Sequence, residues 1–112
     1  MNFEDLEIWK RSVKLSILIY KETLSLKDYG FKDQITRSAL SIPSNIAEGM
    51  ERDSVKETKH FLSYSKASCG ELRTQIIIAK EVGFLNTNFC EKTYQECKEL
   101  SQMISSFSKK LT

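Results

Sequence analysis

One histidine, three cysteines and a row of cations are the residues with which this 112-residue chain could do chemistry, and their placement narrows what that chemistry can be. Acyl transfer needs a nucleophile, a base within hydrogen-bond reach and a group that orients the base. The sole imidazole, His60, falls on the outer side of the helical pattern around it, so a triad would rest on a solvated base. Cys69, Cys90 and Cys97 lie on apolar stripes, where a free thiol packs as a small hydrophobe. They lack the fourth ligand and the close spacing of a zinc site. Gly49 and Gly83 stand alone and form no phosphate-cradling loop. No catalysis, metal or cofactor is expected.

Two constellations suit binding instead. Lys59, Lys66, Arg73 and Lys80 recur every seven residues, which on a helix rising ~1.5 Å per residue lays them in a nearly straight row about 30 Å long. Arg52 continues the register. Between Arg52 and Lys80 the chain carries six Lys or Arg against three Asp or Glu, a surplus that the net charge of +2 hides. Two readings fit this row. Long basic side chains can cover the flank of an apolar seam and pair with acids such as Glu96 or Glu99 on a neighbouring helix. Repeated around an assembly, the same row can present a cationic surface to phosphates. No aromatic residue interleaves it, so sequence-specific readout by base stacking is not expected.

The second constellation is a polar stripe, Gln34, Ser38, Ser41, Asn45, Glu48 and Arg52, running beside the apolar stripe Ile35, Ala39, Ile42, Ile46 and Gly49. One reading is a structural network, in which Ser41, Asn45 and Glu48 support a helix interrupted by Pro43 and pair with Arg37 or Arg52. On that reading Asn45 and Glu48 are largely buried, since buried polar groups need partners. The other reading turns the stripe toward another subunit or a ligand.

Four helical segments are needed to position these residues. Asn2 caps the first, with Asp5 in its opening turn; Leu6, Trp9, Val13, Ile17, Tyr20 and Leu24 form its buried stripe, and Asp28, Tyr29 and Gly30 end it. The second runs from Phe31 to Gly49, with a kink or short break at Pro43, where the ring removes a backbone donor. Ser41 and Asn45 are placed to bind the freed carbonyl. The third starts at a capping box, Ser54 with Glu57, runs to about Val82 and stops at Gly83. Its seam is Leu62, Ser65, Cys69, Leu72, Ile76 and Ala79. The fourth opens near Asn88 and carries Tyr94, Cys97, Leu100, Ile104, Phe107 and Leu111. Short connections imply an all-α, antiparallel up-down-up-down four-helix bundle, a single domain over residues 1–112. Ile8, Leu15, Ile19, Ile77 and Ile78 remain as apolar residues beyond the four stripes, and are expected to be buried between subunits.

Composition agrees with one such domain. A hydrophobic fraction of 40% supports one core, and one proline with four glycines leaves little punctuation for a many-stranded sheet. The opening Phe3-Glu4-Asp5 is unlike a secretory signal, the longest apolar run falls short of a membrane span, and an odd cysteine count without CxxC spacing fits a reducing compartment. A cytoplasmic protein without membrane association is expected.

The opening Phe3-Glu4-Asp5-Leu6-Glu7-Ile8-Trp9, the pair Gln34-x-x-Arg37, the run Ser41-Ile42-Pro43-Ser44-Asn45-Ile46-Ala47-Glu48-Gly49 with Arg52 beyond it, and Ser68-x-x-Glu71-Leu72 together resemble the 23S rRNA intervening sequence proteins. The likeness spans nearly the whole chain. It departs in the third helix, where the family tends to Ala-x-Gly-Ser and this chain has Ser65-Lys66-Ala67-Ser68. The resemblance implies a left-handed bundle assembled as a homopentamer, and a link to RNA or ribosomal RNA genes. It adds Ser68 and Glu71 to the candidate network or interface. A related group, the accessory proteins of diversity-generating retroelements, uses a similar pentamer to bind a reverse transcriptase and nucleic acid. The partners so implied are the chain itself, RNA or DNA, and a nucleic-acid enzyme.

Overall fold

Helix starts in this protein coincide with short polar side chains that accept orphan amides. The computed structural model describes residues 2–112, in the order of a 3-10 turn Phe3–Asp5, α1 Glu7–Glu22, α2 Tyr29–Met50, α3 Val55–Glu81 and α4 Thr87–Lys110. The Asp28 carboxylate accepts from the Phe31 amide at 3.1 Å and Ser54 Oγ from the Glu57 amide at 3.1 Å. Asn86 Oδ1 accepts from Asn88 and Phe89, at 2.8 and 3.2 Å. These are N-caps that satisfy donors the first turn leaves unpaired. Asn86, two residues before the expected start, therefore opens α4, and Asp28 begins α2 instead of ending α1, which stops at Glu22. At the end of α3, Gly83 takes φ +79°, Phe84 N donates to Ala79 O and Gly83 N to Lys80 O. That pair of bonds is a Schellman stop, built on the one residue type with no steric penalty at positive φ.

Neighbouring helices run antiparallel. On the α2/α3 seam Thr58 Oγ1 donates to Gly49 O, Ser65 Oγ to Ile42 O, and the Phe31 and Phe84 rings meet edge-on at 5.3 Å. Arg11 reaches Glu96, Glu99 and Met103 in the middle of α4, and Glu7 at the start of α1 shares a hollow with Phe107 and Lys110 near the end of α4. The bundle measures 44 × 22 × 20 Å. Its core takes Ile35, Ala39, Ile42 and Ile46 from α2, Leu62, Cys69, Leu72, Ile76 and Ala79 from α3, and Cys97, Leu100 and Ile104 from α4. Those three stripes are the ones the periodicity indicates.

The first helix is turned differently from its sequence expectation. Ile8, Leu15 and Ile19, expected between subunits, are core residues, whereas Ile17, Tyr20 and Leu24 are exposed at 49, 43 and 69%. The reason lies in Ser12, Ser16 and Thr23, which interleave the true core row and read as outward-facing. Ser12 Oγ donates to Trp9 O and Thr23 Oγ1 to Ile19 O, so each hydroxyl satisfies itself on its own helix and can be buried. α2 runs through Pro43 without a break in the helix. Ser41 Oγ donates to Ser38 O and Asn45 Nδ2 to Ser41 O, leaving the Ala39 carbonyl, the one opposite the proline ring, unbound by either side chain.

Candidate functional site

The basic row lies along the groove between α3 and α4. Lys66 shares one hollow of about 290 Å³ with Ser101, Gln102, Ser105, Ser106 and Lys109. Further along, Lys80 lines a second, of about 340 Å³, with Ile76, Ile77, Cys90, Glu91 and Tyr94. Arg73 stands between them, its guanidinium carbon 6.0 Å from the Tyr94 ring centre, the outer limit of a cation–π contact. Lys66 is exposed and Lys59, Arg73 and Lys80 half-buried; none of the four makes an ion pair among the described residues. Arg52 behaves otherwise. It bonds Glu48 at 2.5 Å, approaches Glu57 at 3.9 Å and lies over the Phe61 ring at 4.6 Å, so it braces the α2–α3 corner and does not extend the open row.

The acids expected to pair with the row go elsewhere. Arg11 Nε and Nη2 grip both oxygens of Glu96 at 2.9 and 2.5 Å, Nη2 also reaches Glu99 at 2.8 Å, and Nη1 contacts Met103 Sδ at 3.1 Å. Bidentate geometry of this kind is the strong form of the carboxylate–guanidinium contact. The hydrogen bonds to Glu96 and then Glu99 hold the guanidinium proton still more firmly, and the bond from Arg11 lowers the Glu99 carboxyl below its usual range. Sequence reasoning passed over Arg11 because it placed the wrong row of α1 inward. Tyr94 and Lys109 were missed as well, since they face the basic row from another helix. Ser101, Ser105 and Lys109 stand four apart, a spacing that marks one face of α4.

Of the polar stripe, only its centre forms a network. Ser41 Oγ and Ser68 Oγ meet at 2.6 Å across the α2/α3 seam, beside the Asn45–Ser41 and Ser65–Ile42 bonds. Glu48, expected to be buried, is exposed, its side chain 53% accessible. The physical reason is position: Glu48 lies on the solvent side of the last turns of α2, one turn before Arg52, which bonds it there. Arg37 is exposed and pairs with Asp33 one turn back, while Gln34 and Glu71 are exposed and stand apart from the serines.

The remaining reactive residues are packed or solvated. Burial pushes the Cys69 thiol up to about 12, against a smaller opposing effect of Arg73, and raises Cys97 and Cys90 for the same first reason. His60 is exposed and its Nε2 lies 2.6 Å from Tyr64 Oη. No group of three or more metal-ligating side chains occurs among the described residues, and no helix is long and apolar enough to cross a membrane. On the opposite side, α1 and α2 enclose an apolar groove of about 320 Å³ lined by Val13, Ser16, Ile17, Tyr20, Leu40 and Pro43; the buried Ser16 Oγ there has no hydrogen-bond partner.

Comparison with known proteins agrees with this architecture. A protein of unknown function from the S23 ribosomal protein family of Bacteroides thetaiotaomicron has a crystal structure similar to this one with a TM-score of 0.86, at 18% identity, over 91% of this chain and 98% of that one. At that identity the likeness speaks for the fold. A search among curated proteins finds no match. The family model described as 23S rRNA-intervening sequence protein matches residues 4–106. Matched over nearly all its length, the chain belongs to the family of 23S rRNA-intervening sequence proteins.

Proposed function

We propose that the protein is a non-enzymatic accessory factor that self-associates and binds RNA or DNA through the α3/α4 face. The observation that carries this reading is the absence of ion-pair partners along Lys59, Lys66, Arg73 and Lys80 among the described residues, because Glu96 and Glu99 are committed to Arg11. A row of uncompensated cations about 30 Å long attracts a phosphate backbone irrespective of sequence, and each contact releases counterions. Self-association, as the homopentamer that the family resemblance implies, is supported by the apolar α1/α2 groove and by Ile78 and Val82, exposed at 45 and 57%. A ring of copies repeats the cationic row and multiplies weak contacts.

The test is reversal of Lys59 and Lys66 to glutamate. Binding to RNA and DNA should weaken for every sequence and its dependence on salt should flatten, while melting temperature holds, since neither lysine makes an ion pair among the described residues that the change would break. A second reading, a scaffold that binds only protein, rests on the apolar α1/α2 groove. Unchanged nucleic-acid affinity in a folded double reversal would favour that reading and retire the first.

A further inference from the structure

We propose that the α3/α4 groove is a site for single-stranded nucleic acid, with Tyr94 as the surface on which a base stacks and Lys66 with Lys109 as the clamp on a phosphate. This rests on the nucleic-acid reading above and adds the form of the ligand. Two hollows of different chemistry share one groove. The first is lined by two ammonium groups, three hydroxyls and an amide, without a carboxylate. That donor set suits phosphate oxygens. The second is lined by Ile76, Ile77, Cys90 and the half-buried Tyr94, together with Lys80 and Glu91. That set suits a base: an aromatic face for stacking, apolar walls, and a carboxylate able to accept from a base N–H such as N3–H of uracil or thymine.

Spacing links the two. Lys66 and Ile77 are eleven residues apart on one helix, about 16 Å along its axis, so one strand of several nucleotides can occupy both. Arg73 lies midway with no acid against it among the described residues. A duplex cannot use the second hollow, because its bases are held in the stack and must be unstacked before one can reach Tyr94. A single strand offers its bases freely, and the hollows on the α3/α4 face lie open to receive them.

Fluorescence anisotropy with labelled oligouridylate, oligodeoxythymidylate and a duplex of equal length, across a salt series, tests the proposal. Both single strands should bind about tenfold more tightly than the duplex, and Tyr94→Leu should remove about tenfold from strand affinity without changing the salt slope. Tyr94→Phe, which keeps the ring, should bind as the parent does. Lys66→Gln combined with Lys109→Gln should flatten the slope by about 0.7, the value for one phosphate contact on a single strand. A folded Tyr94→Leu with parent affinity overturns the base site, and if the lysine pair still loses slope the broader phosphate reading stands. A duplex preferred over both strands also overturns it. Photocrosslinking of a thiouridine-bearing strand to the unmutated protein gives an independent measurement: an adduct at or beside Tyr94 supports the site, and adducts confined to other helices refute it.

Discussion

Arg11 joins α1 to α4 through three nitrogens, and the two carboxylates it holds are each only part-exposed, 30% for Glu96 and 46% for Glu99. Removing the guanidinium strands both acids side by side, where like charges repel. Arg11→Met should therefore lower the melting temperature by a few degrees near neutral pH, a loss moderated by solvent screening at these exposures. The pH dependence follows from the lowered Glu99 carboxyl. A depressed carboxyl contributes stability above its unfolded value, near 4.5, and loses it as pH falls through the lower folded value. Parent and variant should thus differ most above pH 4.5 and converge below it, and melts recorded across that window check the sign.

Two glycines inside helices make opposite demands on α2 and α3. A Cβ on Gly49 would stand 3.0 Å from Phe61 Cβ and 3.1 Å from the Thr58 carbonyl oxygen, at the point where Thr58 Oγ1 bonds Gly49 O. A Cβ on Gly70 would meet nothing within 4 Å. Gly49→Ala should cost about 1–3 kcal/mol by overpacking, against a helix-propensity gain below that. Gly70→Ala should stabilise by about 0.5–1 kcal/mol. Equal urea midpoints for the two variants would contradict the close approach. The same α2/α3 seam was open to sequence reading, because Ile35, Ala39, Ile42, Ile46 and Gly49 keep one period and every member is buried. The α1 face was not: Ser12, Ser16 and Thr23 look polar in a one-dimensional pattern and become core residues by bonding, or simply tucking, within their own turn. The cationic half of the candidate site was likewise legible as a seven-residue repeat. Tyr94, Lys109 and the diversion of Glu96 and Glu99 were not, since each depends on which helices lie side by side.

With Ile8, Leu15 and Ile19 taken into the core, exposed apolar side chains still mark two separate faces of the molecule. Ile17, Tyr20 and Leu40 line the α1/α2 groove, and Ile78 and Val82 project from α3, each of these five between 43 and 57% exposed. Two unlike patches on one chain favour head-to-tail contact, which closes into a ring when the rotation permits. Light scattering at micromolar concentration should find the parent larger than a monomer. Ile17→Glu with Leu40→Lys should release folded monomers of unchanged helix content, and a parent that is itself monomeric would end the assembly reading.

The ion-pair fork on Arg11 also has a bearing on rotational register. The two apolar rows of α1, Leu15 with Ile19 and Val13 with Ile17, lie on nearly opposite sides, since a two-residue step turns a helix by about 200°. Greasiness alone barely discriminates between them, so a half-turn of α1 about its own axis is a competing fold of the same sequence. Such a turn would carry Arg11 away from Glu96 and Glu99 and leave the carboxylates without their cation. The fork thereby acts as an index pin. It selects which row is sealed inside and which is left outside, and in doing so it decides whether the α1/α2 surface exists for another copy to find.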